Sequence, residues 1–299
     1  GLGGIDQLQM AWCWRRLDSQ MTVRELMDKC VRLLRRAGIK SPRADVEWLA
    51  SDVFKYRRSE LALHGHKMPT REQVDRMREN INRRTDREPL QHILGISDFY
   101  GYEFRVSSAV LIPRPETETL AELALGFLHP LPAPVAFDLG TGSGCIAITL
   151  AKRCPGVKVI ASDVSESALN LAKLNAETLD AIEQVKFREA DGLAALAEGE
   201  QVDLIVSNPP YIPSGDIAGL QPEVRHYDPH LALDGGEDGL QFHRLLAAEG
   251  QSRLKPGGKL MAEFGDGQES AIEGLFAQAA WASVEFTNDL TGRCRIVIA

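Results

Sequence analysis

Val135-Ala136-Phe137-Asp138-Leu139 runs straight into Gly140-Thr141-Gly142-Ser143-Gly144, and Cys145–Lys152 follows with helical spacing. The short apolar run reads as a buried strand. Glycines belong where a backbone turns sharply and must lie against a ligand. Outward from this stretch, strand-like runs recur at Val157–Ala161, Val185–Arg188, Asp203–Val206, Lys259–Phe264, Ser283–Thr287 and Cys294–Ile298. Helical segments near 145–152, 165–178, 239–253 and 268–279 separate several of them. The predicted fold class is α/β, with a parallel, doubly wound sheet. The chain has no internal repeat and no low-complexity tract.

The glycine spacing is G-x-G-x-G, not the G-x-G-x-x-G of dinucleotide binders. Asp138 stands just before the loop, where a pyrophosphate site has no use for an acid. An anionic side chain there suits the cationic ammonium of S-adenosylmethionine. Asp163 ends the second strand, and a carboxylate at that edge can accept both ribose hydroxyls of an adenosine. The third strand leads to Ala190-Asp191-Gly192, where Asp191 is placed to accept from an exocyclic amine. Taken singly, these are turn glycines, a helix-capping Asp163 and a surface Asp191. Together, at the ends of successive strands, they are specific.

A second turn carries the reactive groups. The apolar run Asp203–Val206 stops at Ser207-Asn208, and Pro209-Pro210-Tyr211-Ile212 follows. Proline fixes φ and has no N–H, so neither proline extends a ladder. The residue before each is also pushed away from helix. The result is a stiff, extended turn at the edge where open α/β sheets bind ligands. A rigid carbonyl acceptor on Asn208, beside the flat ring of Tyr211, suits a planar amide or amino group. These four residues alone fit a plain proline-rich loop equally well.

A length of 299 residues suggests two domains. Residues 21–90 hold 17 Lys+Arg against 11 Asp+Glu, while residues 91–299 hold 15 against 29. A basic lobe on an acidic body suits an acidic protein partner or RNA for the lobe, although solvated helix faces explain the count as well. No apolar run approaches the roughly 18 residues of a membrane span, and no charged-then-apolar leader opens the chain, so a cytoplasmic location is expected. Cys13, Cys30, Cys145, Cys154 and Cys294 form no C-x-x-C pair; reduced thiols and no metal site are expected. Cys145 reads as a small buried hydrophobe.

Residues 1–20, with Trp12 and Trp14, receive no function. Thr22-Val23-Arg24-Glu25 fits a capping box, and Gly38 offers a stop. Ser41-Pro42 opens a second helix with serine as cap and proline in the first turn, and Thr70-Arg71-Glu72-Gln73 opens another. This small helical bundle ends near Arg87. His64 and His66 flank Gly65 in a loop and read as solvated. Residues 90–112, punctuated by Gly95 and Gly101, predict a β-hairpin connector. Leu111–Glu118 is stiffened by Pro113 and Pro115, and Glu116 and Glu118 sit where a helix start favours negative charge. His226 and His230 flank Asp228-Pro229 and read as loop residues.

These motifs together resemble a class I S-adenosylmethionine-dependent methyltransferase. The Asn-Pro-Pro-Tyr variant at Asn208–Tyr211 is shared by N(5)-glutamine protein and N(6)-adenine nucleic-acid methyltransferases. Ser41–Glu47, Pro89–Gly95 and above all Leu111–Glu118 are similar to the HemK/PrmC family of release factor glutamine methyltransferases. The likeness runs from Thr22 to the end of the chain. It implies a Rossmann-like seven-stranded sheet, an N-terminal helical bundle domain and a β-hairpin connector. The expected boundaries are 1–20 unassigned, 21–88 helical docking domain, 89–112 connector and 113–299 catalytic domain. It also implies methylation of the glutamine in the Gly-Gly-Gln motif of class-1 peptide chain release factors. Asp138, Gly140, Thr141, Gly142, Ser143, Gly144, Asp163, Asp191, Gly192 and Asn208 are then expected around the cofactor. Asn208, Pro209, Pro210 and Tyr211 are expected on the substrate, with Asn208 and Pro209 catalytic. Phe99 and Tyr100 look like the family's aromatic pair that closes over the site. A monomer without a DNA partner is expected. The rivals are an N(6)-adenine methyltransferase, which the acidic catalytic half disfavours, a methyltransferase for a ribosomal protein's glutamine, and a nucleotide-dependent oxidoreductase, which the loop spacing disfavours.

Overall fold

The computed structural model describes residues 21–299, so the expectations for residues 1–20 lie outside the described residues. Contacts divide the chain into two compact units. One ends at Gly95 and takes in Pro222–Tyr227; the other comprises Ile96–Gln221 and Asp228–Ala299.

The first unit is helical. Helix α1 (Val23–Arg36) opens with a reciprocal cap, in which Glu25 N donates to Thr22 Oγ1 at 3.3 Å and Thr22 N donates to Glu25 Oε2 at 2.8 Å. Helix α2 (Pro42–Phe54) begins on Pro42, but Ser41 makes no side-chain cap bond. Its ψ of 57° lies outside the extended region from which an N-cap oxygen reaches the first turn, so the expected serine cap gives way to the proline start. Helix α3 (Arg71–Thr85) repeats the reciprocal cap through Thr70 and Gln73. Leu26, Leu34, Leu49, Met77 and Ile81 pack their apolar faces into one core. Buried Arg84 donates to Asp45 at 2.7 Å and to Glu223 at 3.3 Å, and Arg87 donates to Glu223 at 2.8 Å. Part of the unit's positive charge is thus neutralised internally. His64 packs its ring 4.1 Å from that of Tyr56, and no cluster of metal-ligating side chains occurs among the described residues.

The hairpin starts later than expected. Pro89 opens a short helix, α4 (Leu90–Leu94), which Gly95 ends at φ +75°. The hairpin itself is β1 (Ile96–Phe99) against β2 (Tyr102–Arg105), turned by Tyr100-Gly101. Both turn residues have positive φ, as a tight right-twisted hairpin requires.

The second unit continues with α5 (Thr117–Leu128), β3 (Val135–Leu139), α6 (Cys145–Arg153), β4 (Lys158–Asp163), α7 (Glu166–Thr178), β5 (Val185–Glu189) and β6 (Val202–Ser207). It ends with α8 (Gln241–Glu249), β7 (Leu254–Glu263), α9 (Glu269–Gln278), β8 (Glu285–Asn288) and β9 (Cys294–Ile298). The seven strands lie in the order β5-β4-β3-β6-β7-β9-β8. All adjacent pairs from β5 to β7 are parallel, but β9 runs antiparallel to β7 and β8. The sheet is therefore mixed rather than wholly parallel. A turn as short as residues 289–293 can join only antiparallel neighbours, because a parallel pair needs a long crossover.

Side chains alternate across the strands. Ala136, Val159, Leu204 and Val206 join Leu120 of α5 and Leu150 of α6 in one core; Phe137, Ile160 and Ile205 join Leu246 of α8 and Phe276 of α9 in the other. The sheet is thus covered on both faces. Strand order reverses at β3, which pairs with β4 on one side and β6 on the other. The carboxyl ends of those strands frame the crevice where such sheets bind ligands. No described helix is long and apolar enough to cross a membrane.

Candidate active site

The loop after β3 holds Gly140 at φ +72° and Gly142 at φ +55°. A Cβ built on either would meet no protein atom within 4 Å. The backbone is therefore bare on a side that opens into space. Thr141 N donates to Ser162 O of β4 at 2.8 Å. Gly142 N donates to Asp163 Oδ2 at 2.9 Å, and Ser165 N donates to Asp163 Oδ1 at 3.0 Å. The end of β4 thus clamps the glycine loop, and Asp163 keeps lone pairs for a further donor.

That space is a cavity of about 360 Å³, lined wholly by the second unit. Gly140, Thr141, Gly142, Ser143, Asp163, Asp191, Gly192, Asn208, Pro209 and Pro210 all reach it, with Leu111–Arg114 on its wall. Val164 and Leu231 line it too, although both are large, apolar and exposed. The sequence reading missed them; an apolar residue directly after the strand-end acid was the available signal for Val164. Bare glycine backbone, a strand-end carboxylate and an apolar rim fit an adenosine-bearing ligand such as S-adenosylmethionine.

Two expected cofactor residues stand behind the cavity rather than on it. Asp138 is buried, and its Oδ2 accepts from Thr141 Oγ1 at 2.7 Å and from Ala147 N at 3.2 Å. Its other oxygen has no partner among the described residues. Burial pushes its pKa up to about 7, against the opposing pull of Thr141 and Ala147. Asp138 therefore organises the loop and the first turn of α6, with its carboxylate behind the cavity lining rather than in it. Gly144 is a packing residue, since its missing Cβ would stand 2.9 Å from Ile148 Cδ1 and 3.2 Å from Ala172 Cβ. Cys145, expected as a small buried hydrophobe, is only half-buried and lines the cavity, and desolvation raises its thiol to about 12.

At the end of β6, Ser207 Oγ donates to Leu139 O at 2.8 Å, tying the two turns together. Asn208 Nδ2 donates to Thr117 Oγ1 at 3.1 Å. The amide nitrogen is thus committed to the protein, and Oδ1 is the end left for a ligand. Tyr211 O accepts from Gln268 Nε2 at 3.0 Å, and a Cβ on Gly235 would stand 2.8 Å from Tyr211 Cα. Only glycine permits that approach, so the Asp234–Gly239 segment braces the turn, a role the sequence reading missed.

The structure does not bring the expected aromatic groups to the cavity. The Tyr211 ring packs towards Gly265, whose missing Cβ would stand 3.2 Å from Cδ2, and burial raises its hydroxyl to about 12. Phe99 is buried in the core, edge-on to Phe104 at 6.2 Å, because that alternate face of β1 points inward. Tyr100 sits in the hairpin turn, donates its N–H to Glu118 Oε1 at 2.8 Å, and places its ring 5.5 Å from the Arg153 guanidinium. On the cavity wall, Arg114 Nη2 donates to buried Asp228 Oδ2 at 2.8 Å. Burial nonetheless raises Asp228 to about 6.

The chain is similar to known proteins over most of its length. The PrmC N-terminal domain family matches residues 25–95, and the methyltransferase small domain family matches residues 121–219. A release factor glutamine methyltransferase of Geobacter sulfurreducens is 40% identical over 276 residues, covering 92% of this chain and 95% of that protein. One of Deinococcus radiodurans is 40% identical over 279 residues, covering 93% and 98%. A crystal structure of a methyltransferase from Pyrococcus furiosus is 22% identical with a TM-score of 0.52, covering 73% of this chain and 96% of that one, a likeness of fold alone. A seven-stranded sheet ending in a glycine cradle and an Asn-Pro-Pro-Tyr turn defines a Rossmann-like methyltransferase. More narrowly, the chain belongs to the release factor glutamine methyltransferase family.

Proposed function

We propose that this chain transfers a methyl group from S-adenosylmethionine to the side-chain nitrogen of the glutamine in the Gly-Gly-Gln motif of class-1 peptide chain release factors. The observation that carries the reading is the anchored carboxamide of Asn208, held by its nitrogen and lining the same cavity as the bare glycine loop. An amide nitrogen is a poor nucleophile because its lone pair is delocalised. S-adenosylmethionine, when bound, supplies an electrophilic methyl carbon. The protein's work is then to position and polarise. Asn208 Oδ1 and the Pro209 carbonyl accept the two N–H bonds of the incoming amide. Those bonds aim the nitrogen and stabilise the positive charge that develops on it. The amide nitrogen would take the methyl group as its bond to sulfur breaks, and the amide proton would then leave to water. Gly140–Ser143, Asp163 and Asp191 hold the adenosine end, and Gly192 contacts the base through backbone alone. Pro210 completes the stiff turn. A cytoplasmic monomer acting on protein rather than DNA completes the reading.

Mass spectrometry of a class-1 release factor after incubation with labelled cofactor tests it, with an oligonucleotide run in parallel. Label on the motif glutamine is expected, and Asn208→Ala is expected to lower turnover by roughly 100-fold, the scale of losing one preorganised hydrogen bond to a transition state, with cofactor affinity nearly unchanged. Label on the oligonucleotide alone, or near-normal turnover by the variant, would overturn the assignment.

A further inference from the structure

Thr117 lies 91 residues from Asn208 in sequence, yet its hydroxyl accepts from Asn208 Nδ2 at 3.1 Å. It is the first residue of α5 and is 2% exposed. Its backbone is held in the turn, with Thr117 N donating to Arg114 O at 3.1 Å.

A carboxamide is nearly symmetric in shape, and only its hydrogen-bond partners distinguish O from N. The bond to Thr117 Oγ1 holds Asn208 by its nitrogen and leaves the oxygen for the cavity. An Asn208 released from that bond is free to turn and present an NH₂ group to the cavity, where an incoming amide brings N–H donors of its own.

We infer that Thr117 is a positioning residue: its buried hydroxyl anchors the Asn208 carboxamide by its nitrogen and so keeps the oxygen towards the substrate. This deepens the proposed function and rests on it for its effect on turnover, but the lock itself has a readout without substrate. Both Thr117→Val, which keeps shape and removes the hydroxyl, and Thr117→Ser, which keeps the hydroxyl, are compared with the wild type. By nuclear magnetic resonance, exchange of the Asn208 side-chain NH₂ protons is expected to speed up about tenfold in Thr117→Val, the loss of one well-placed buried hydrogen bond. It is expected to stay near wild type in Thr117→Ser. In the methylation assay, kcat is expected to fall about tenfold in Thr117→Val, while the release factor KM and S-adenosylhomocysteine affinity hold within about twofold; Thr117→Ser restores kcat. Unchanged NH₂ exchange in Thr117→Val would overturn the lock. An equal loss in the serine variant would make the role one of packing. A wild type that fails to label release factor, with exchange still altered in Thr117→Val, would sink the proposed function and leave the lock standing.

Discussion

Replacing Gly140 by alanine separates ligand contact from backbone strain, provided Gly156 is replaced alongside it. Gly140 has φ +72° and Gly156 has φ +80°, and a Cβ on either meets no protein atom within 4 Å. The conformational cost is therefore shared: a left-handed backbone costs an L-residue ~1–2 kcal/mol. With a melting shift of about 2–4 °C per kcal/mol for a unit of this size, each variant is expected to lose about 2–8 °C. The difference lies in what the new methyl group faces. Gly140 lines the cavity, whereas Gly156 lies in the turn between α6 and β4, at the opposite edge of the sheet. Only Gly140→Ala puts a carbon where a ligand must touch backbone. At least a tenfold weakening of S-adenosylhomocysteine binding is expected there, about 1.4 kcal/mol, and none in Gly156→Ala. Calorimetric titration of both variants, with melting curves on the same samples, is the measurement. Wild-type affinity in Gly140→Ala would refute the assignment of the bare loop to the cofactor. Equal losses in both variants would reduce the effect to general strain.

Two further expectations concern stability. Burial raises Glu263 and Asp138 to about 7 and Asp228 to about 6. Each binds its proton more tightly folded than unfolded, so its stabilising contribution is full below about pH 4 and lost as pH rises through 6 to 7. Glu200, held down to about 2 by Arg188, loses its contribution only below that window. Urea melts of the ligand-free protein from pH 5 to pH 8 are expected to show falling stability, and Glu263→Gln to flatten the fall by ~1–3 kcal/mol; an unchanged slope in that variant would count against a buried carboxyl. In the helical unit, Arg84→Ala strands Asp45, whose side chain is 12% exposed, and leaves Glu223 with Arg87 alone. A loss of roughly 3 kcal/mol is expected in thermal unfolding, with S-adenosylhomocysteine binding unchanged at low temperature. A loss under about 0.5 kcal/mol, the range of an ordinary surface pair, would show that the cluster is solvated.

Much of this protein is legible in its residues because the governing physics is local. Strand β3 has the limits that its apolar run and glycine stop dictate, and the caps at Thr22 and Thr70 form within three residues of chain. Glycines at 140 and 142 announce a bare backbone, and two prolines announce a stiff turn, whatever surrounds them. The sequence alone therefore determined the α/β class, the cradle and the turn that carries Asn208. What it did not determine depends on which distant groups come to share a face. Asp138 and Asp163 are both strand-end acids, yet only packing decides that one is sealed behind the loop and the other lines the cavity. Phe99 and Tyr211 are aromatic in any reading, but the inward face of β1 and the close glycines at 235 and 265 decide where their rings lie. The insertion of β9 between β7 and β8 follows from a hairpin closing onto an existing edge. The bond from Asn208 to Thr117 joins the end of one strand to the start of a helix 91 residues away. Propensity and capping act along the chain, whereas burial and side-chain aim are set across it, and only the folded structure contains that second kind of neighbour.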